Sequence, residues 1–352
     1  MRRGSGTGAE RSRGSTGYQH PLLRSFSNDS GTPLHELGGL ALFNGVMIQG
    51  RTGYAVAIRL ADGGIYLRQV PGRALPGWML IPFLRGPLLF VGMTLRAFEA
   101  FFLSIYLSEA KPPREALRHL SFPPSYNAER LFFLIYSLIS FVLLFGLSSW
   151  PLQRIDGAGW LGALVLGLGL KLLLLMGYIG LLHAFSDVRR LFQYHGAEHR
   201  VLWVLQSGKR LAVDVAQGMP LRHPRCGIVF LLYFLLTHEV LLTITTVLGW
   251  GTGLGYVESV ARQILVFVGA FSLAFEWFRR STLGNPAPPK GKLRNVITVP
   301  LKVGLWLQEW TTRAPSDEQV ETALVALHGA LTIEPGQRSP QNWVVQGLHP
   351  EL

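Results

Sequence analysis

Long apolar runs constrain this chain before anything else does. Leu131–Trp150, Trp160–Phe185, Gly227–Trp250 and Ser259–Phe278 each approach or exceed the ~20 residues a helix needs to cross the hydrocarbon core of a bilayer. Only 15% of the 352 residues are charged, against about 25% in ordinary soluble domains. The expectation is a mostly α, polytopic membrane protein with about four transmembrane helices. A further run, Pro87–Leu107, is long enough to span, but Arg96 and Glu99 interrupt its centre. Three residues apart, they can pair on one helix face, so this run reads as an amphipathic helix at the membrane interface.

The loops then set the orientation. The link between the first two spans carries Arg154, and the link between the last two has Arg262 at its end. The central link carries Arg189, Arg190, Arg200, Lys209, Arg210, Arg222 and Arg225, and both terminal regions are basic. Positive loops stay on the cytoplasmic side, which puts both termini and the central link in the cytoplasm of a multi-pass protein of the cell membrane. The formal net charge of +12 then reflects basic loops beside anionic lipid. No nucleic-acid motif accompanies it, so the expected partner is the bilayer. The single cysteine, Cys226, rules out an intramolecular disulfide. The N-terminus has no apolar segment behind its arginines, unlike a cleavable signal.

The segments outside the spans follow. Residues 1–36 read as a disordered basic tail, and 37–75 as a Gly-rich motif followed by a β-hairpin. In the hairpin "YAVAIRL" puts Tyr54, Val56, Ile58 and Leu60 on one face before the "ADGG" turn and "IYLRQV". Residues 76–130 hold the interfacial helix, 131–185 and 227–278 the paired spans, and 186–226 the cytoplasmic loop. "RLAVDV" within that loop alternates like a short strand. Residues 279–331 contain a helix around Pro300–Trp310 and an amphipathic helix over Asp317–His328, and 332–352 read as a tail. The small β-containing element is expected on the cytoplasmic side.

The loop holds the chemistry. In "YHGAEHR", a helix puts His195 and His199 about 40° apart and Glu198 about 60° to the other side of His195. Two histidines at i and i+4 can hold one metal ion, and H-x-x-E-H is a metalloprotease arrangement in which the glutamate is the general base. "HPRC" adds His223 and Cys226 at the mouth of the third span; imidazole and thiolate both suit zinc. Four ligands from His195, His199, His223 and Cys226 would close a structural site, whereas three plus water would leave a catalytic one with Glu198 as base. The same groups also fit interfacial hydrogen bonding and packing. His183, Asp187 and Glu276 lie near the same membrane face, and Glu276 has Arg279 and Arg280 close by in sequence. Inside the second span, Lys171 lies about 21 Å of helix from Phe185, and Glu239 in the third lies about 20 Å from Cys226. Equal depth predicts that they pair, with His238 adjacent.

"YHGAEHR", "HPRCG" and "LWLQEWTTRAPSDEQVETAL" resemble the bacterial YqhQ-type membrane proteins, as does "GGLALFNGVMIQG" more loosely. The resemblance covers about Gly38 to Leu327. It implies an uncharacterised membrane family described as predicted metal-dependent enzymes. The family's N-terminal motif resembles G-G-Q-A-V-I-E-G-V-M-M-R-G; here Leu40, Asn44 and Gln49 stand where it has Gln, Glu and Arg. A carboxamide at Asn44 is neither a base nor a strong zinc ligand. The expectations are therefore a metal-dependent hydrolase or, in the alternative, a non-enzymatic scaffold or assembly factor with structural zinc or no metal; transport fits least. A cysteine placed at Gly208 should resist an impermeant maleimide in intact cells, and one near Arg154 should react. Labelling at Gly208 would reverse the orientation.

Overall fold

The computed structural model describes residues 38–50, 52–72, 76–110, 117, 135, 159–250, 256–282, 292–334 and 337–345. The expected span Leu131–Trp150 (apart from Ile135) and the expected tail at 1–36 lie outside them. The described residues are mostly helical and carry one small antiparallel sheet. Its strands are β1 (Gly38–Leu42), β2 (Gly45–Gln49), β3 (Gly53–Arg59), β4 (Ile65–Pro71) and β5 (Gln341–Val345). They lie side by side in that order.

The hairpin expected from "YAVAIRL…IYLRQV" is β3–β4, paired from Gly53↔Pro71 to Arg59↔Ile65. The Gly-rich stretch before it is also a hairpin, β1–β2, whose turn places Asn44 at φ 55°. Asparagine tolerates that left-handed conformation because its short side chain bonds locally; here its amide donates to Ser108 Oγ at 3.0 Å. The stretch 332–352, expected to be a tail, supplies β5 instead, and Ile65↔Val345 to Gln69↔Gln341 close the β4 side of the sheet.

Helix α1 (Arg85–Ala110) covers one face of the sheet. Ala100, Leu103 and Leu107 bury against Met47, Tyr54, Val56, Ile58 and Tyr66. Arg96 and Glu99 turn to the sheet: Arg96 donates to Gln49 Oε1 at 3.0 Å and Tyr54 donates to Glu99 Oε2 at 3.1 Å. Both residues of the helix expected at the interface thus hydrogen-bond to the sheet. The stretch Arg85–Glu109 is also one of four helices long and apolar enough to cross a membrane, with Gly159–Leu182, Gly227–Val247 and Val260–Thr282.

The other helices are α2 (Gly159–Leu182), α3 (Ser186–Gln206), α4 (Val213–Gln217), α5 (Gly227–Val247), α6 (Tyr256–Thr282), α7 (Lys292–Thr311) and α8 (Asp317–Leu331). The stretch expected as a strand, "RLAVDV", runs into α4. Among the described residues no strand pairs with it to complete a ladder, whereas a helix buries Ala216 against α3 and α8. A capping box between Ser316 and Gln319 starts α8, and α8 with α3 covers the second sheet face. Val46, Ile48, Ala55, Ala57, Ile65 and Leu67 meet Ala197, Val201, Leu324 and Leu327 there. Gly329 lets the helix approach closely: a Cβ there would sit 2.7 Å from Leu67.

The bundle of α2, α5, α6 and α7 meets this sheet layer at one end. Arg225, ahead of α5, donates to the Thr282 carbonyl at the end of α6 at 3.4 Å. Beyond α2, His183 contacts the Trp310 carbonyl at 2.6 Å. Glu276 accepts from Arg85 Nε at 2.7 Å and from the Phe83 N–H at 3.4 Å, so α1, rather than the neighbouring arginines of α6, is its main partner. Deeper in the bundle, Lys171 donates to Glu239, and both side chains are buried. The exterior at these depths is apolar, with Leu161, Val165, Leu173 and Leu181 exposed.

Removing one partner of a buried pair strands the other charge, at about 3–5 kcal/mol, whereas an apolar replacement of both is often neutral. Lys171→Met should therefore lower thermal stability in detergent sharply, and Lys171→Met/Glu239→Leu should recover most of it. Equal losses in the single and double variants would exclude a register-fixing ion pair.

Candidate metal centre

Helix α3 has an apolar stripe against the sheet and α8, and this stripe fixes its rotation. Tyr194, Ala197, Val201 and Leu205 are all buried on it. That rotation leaves His195 and His199 facing the start of α5. His199 is fully buried, Glu198 is 5% exposed and Cys226 6% exposed. The structure brings His195, His199 and Cys226 together, with one potential ligand atom from each lying within 4.8 Å of the others. His195 Nε2 is 3.2 Å from Cys226 Sγ, and the two imidazole centroids are 4.4 Å apart.

Backbone carbonyls set the tautomers. His195 Nδ1 lies 2.8 Å from the Thr311 carbonyl, and His199 Nδ1 lies 2.5 Å from the Leu221 carbonyl. A carbonyl only accepts, so each Nδ1 carries the proton and each Nε2 presents a lone pair. His199 Nε2 is buried with no hydrogen-bond partner. Carbonyl-anchored imidazoles with the other nitrogen free are the usual support of metal-ligating histidines. Burial lowers the pKa of both rings, which keeps those lone pairs available.

His223 is brought close but lies outside this set. Its ring centroid is 5.6 Å from that of His199, yet both of its nitrogens are engaged. The Arg225 N–H lies 3.3 Å from Nδ1, and the Gln206 amide nitrogen lies 2.9 Å from Nε2. Burial, with a smaller contribution from Arg225, pushes the His223 pKa down to about 3. The backbone of His223 is gripped by Gln308, whose Oε1 accepts its N–H at 2.7 Å and whose Nε2 donates to its carbonyl at 2.8 Å. This grip holds the "HPRC" turn and thereby positions Cys226.

Glu198 stands beside the cluster and makes no hydrogen bond or ion pair with the described residues. Burial pushes its pKa up to about 8. It is near enough to Cys226 that, after burial, its charge is the next largest cause raising the thiol to about 12. Its side chain rests on Gly39 of β1, where a Cβ would lie 2.6 Å from Glu198 Cγ. Asn44, which stands where the resembling motif has glutamate, lies in the turn between β1 and β2 and is not among the three converging groups. Asp187 lines a separate cleft of about 310 Å³ with Asn44, Ser108, Glu109 and Arg190. His183 is held by Trp310 and, at 3.2 Å, by Arg313.

The residues that sequence reasoning missed are glycines and the residues whose carbonyls accept from the histidines. A Cβ at Gly196 would sit 2.1 Å from the Arg313 carbonyl oxygen. Glycine there lets the segment after α7 cross α3 closely, and this puts the Thr311 carbonyl on His195. The signal available was the glycine inside "HGAEH", flanked by ligand-type residues on a helix that otherwise disfavours glycine by about 1 kcal/mol.

Fold and cluster together define a class: a mostly helical protein with helices of membrane-crossing length, a small antiparallel sheet, and a buried His–His–Cys group between them. Residues 81–333 match the family described as proteins of unknown function, DUF1385, and the chain belongs to that family. It is 29% identical over 315 residues to the uncharacterized protein YqhQ of Bacillus subtilis, covering 84% of this chain and 92% of that protein. No solved structure matches.

Gly196→Ala should force α3 and the Arg313 segment apart. Overpacking of this kind costs about 1–3 kcal/mol. The expected result is a lower thermal midpoint together with loss of protection of the Arg313 amide, which donates to the Phe192 carbonyl at 2.9 Å, in hydrogen exchange. Unchanged exchange at Arg313 would show that the crossing does not depend on glycine.

Proposed function

We propose that the protein is a multi-pass protein of the cytoplasmic membrane, with both termini cytoplasmic, that holds one zinc ion and acts as a metal-dependent hydrolase. His195, His199 and Cys226 are the ligands, and Glu198 is the general base. One observation carries this reading: two carbonyl-anchored imidazoles and a thiol converge within 4.8 Å, and the buried Glu198 carboxyl, with no partner among the described residues, stands beside them. Three protein ligands leave zinc a position for water or substrate, the arrangement of catalytic rather than structural sites. When bound, zinc lowers the pKa of water to about 7 and polarises a carbonyl. Glu198 takes the proton of the attacking water and passes it to the leaving group. Its burial and raised pKa suit a group that must hold that proton between the two steps. The basic residues of the link that carries the motif support a cytoplasmic face for the site.

A second reading has support of its own. The two histidines come from the layer that covers the sheet and the cysteine from the mouth of a bundle helix, so a metal there would clamp the two together. In that case the protein is a non-enzymatic scaffold or assembly factor with structural zinc.

Metal analysis of protein purified without chelators tests both. We expect about one zinc per chain in the wild type, little in His195→Ala, and full zinc in Glu198→Gln with an unchanged thermal midpoint. A metal-free wild type overturns the metal reading. Loss of fold on zinc removal, with no hydrolysis abolished by Glu198→Gln, establishes the structural alternative.

A further inference from the structure

Strand β1 is the edge of the sheet next to the candidate centre, and its free hydrogen-bonding groups face outward beside Glu198. The register shows this. Arg59 N–H donates to the Asn44 carbonyl at 2.7 Å, so even-numbered residues of this stretch and of β2 point their backbone groups toward β3. Gly45, Met47 and Gln49 then point theirs toward β1, where their partners are Leu42, Leu40 and Gly38. In an antiparallel pair the intervening residues face away from the partner strand. Those residues are Gly39 and Ala41, both half-exposed. Their N–H and C=O groups take no hydrogen bond from the described residues.

Gly39 is also the residue on which Glu198 rests, with only a hydrogen between the strand backbone and that side chain. A chain laid against β1 would run about 4.8 Å from it. It would find two donors and two acceptors at alternate residues, and it would pass beside Glu198, whose side chain rests on Gly39.

We propose that the substrate is a polypeptide in extended conformation, bound as an added strand on β1 through Gly39 and Ala41. This inference rests on the hydrolase reading and names its substrate class. A lipid ester has no backbone amides and would leave the four edge groups unused. In the reaction the water oxygen bonds to the carbonyl carbon and the C–N bond breaks. Glu198 carries one water proton to the departing amine nitrogen, and the second follows from the new carboxyl group, giving a carboxylate and an ammonium group. Main-chain pairing supplies affinity without demanding a particular sequence.

The test uses the full chain in lipid nanodiscs and a pool of random decapeptides, with new amino termini read by mass spectrometry. Phosphatidylglycerol vesicles serve as the lipid-ester probe. Binding of the fluorescein-labelled pool is measured separately on protein stripped of metal. Ala41→Pro removes one outward N–H and leaves the β1–β2 ladder intact, since proline is tolerated on an edge whose N–H faces out. We expect the wild type to cleave peptides, and Ala41→Pro to weaken peptide binding and raise KM at least tenfold with zinc content unchanged. Peptides N-methylated at alternate residues should lose binding to the wild type to the same extent, which gives the same answer if Ala41→Pro does not fold. Equal binding of methylated and unmethylated peptides overturns the edge proposal. Cleavage of the lipid ester but not of peptides overturns the substrate class and leaves the hydrolase reading standing. A protein that holds no zinc overturns the hydrolase reading, while the metal-free binding measurement still decides whether β1 takes a peptide.

Discussion

The close crossing at Gly196 is the contact on which the rest of the arrangement depends. The Arg313 carbonyl oxygen passes where a side chain would otherwise begin, 2.1 Å from the position of a Cβ. Because it can pass there, the Arg313 N–H reaches the Phe192 carbonyl at 2.9 Å, and the Thr311 carbonyl reaches His195. The same segment leads into the capping box at Ser316 and so aims α8 across the sheet. On its other side, Gln308 at the end of α7 grips the backbone of His223 and holds the turn that carries Cys226. One backbone approach thus sets the rotamer of a histidine, the direction of the covering helix and the place of the thiol.

Two layers with opposite solvation requirements meet at this point. The bundle helices expose leucines and valines and bury their polar groups in pairs, as Lys171 and Glu239 do. An isolated charge in that setting would be costly, so the two helices that carry the pair are held in one register. The sheet layer is buried on both faces, by α1 on one and by α3 and α8 on the other. The candidate centre takes two groups from the sheet layer and one from the mouth of the bundle. Its integrity therefore reports on how the layers are joined.

Much of the fold was legible because it is periodic. Tyr54, Val56 and Ile58 alternate, and they do share a face, buried under α1. His195, Glu198 and His199 fall in one wedge of a helix, as 3.6 residues per turn requires. What was not legible depended on partners distant in sequence. Gln341–Val345 is unremarkable as sequence and becomes a strand because β4 has an open edge there. Val213–Gln217 alternates in composition but forms a helix, because its burial is against α3 and α8 rather than within a sheet. Arg96 and Glu99 suggested an interfacial helix by their charge, and they serve as polar stitches to Gln49 and Tyr54.

The sequence by itself determined that Gly159–Leu182, Gly227–Val247 and Val260–Thr282 are long and apolar enough to cross a membrane, where the hairpin turns, and that two histidines and a glutamate share one helix surface. These depend on spacing within a few residues, which backbone geometry converts directly into faces. Only the tertiary structure decided which nitrogen of each histidine is turned from its carbonyl, that Cys226 joins the pair while His223 is held by Gln206 and Arg225, and that Glu198 rests against Gly39. The tautomers are set by the Thr311 carbonyl, 116 residues from His195, and by the Leu221 carbonyl, 22 residues from His199. Hydrogen bonds over such separations exist only once the layers have packed, so no local pattern in the chain encodes them.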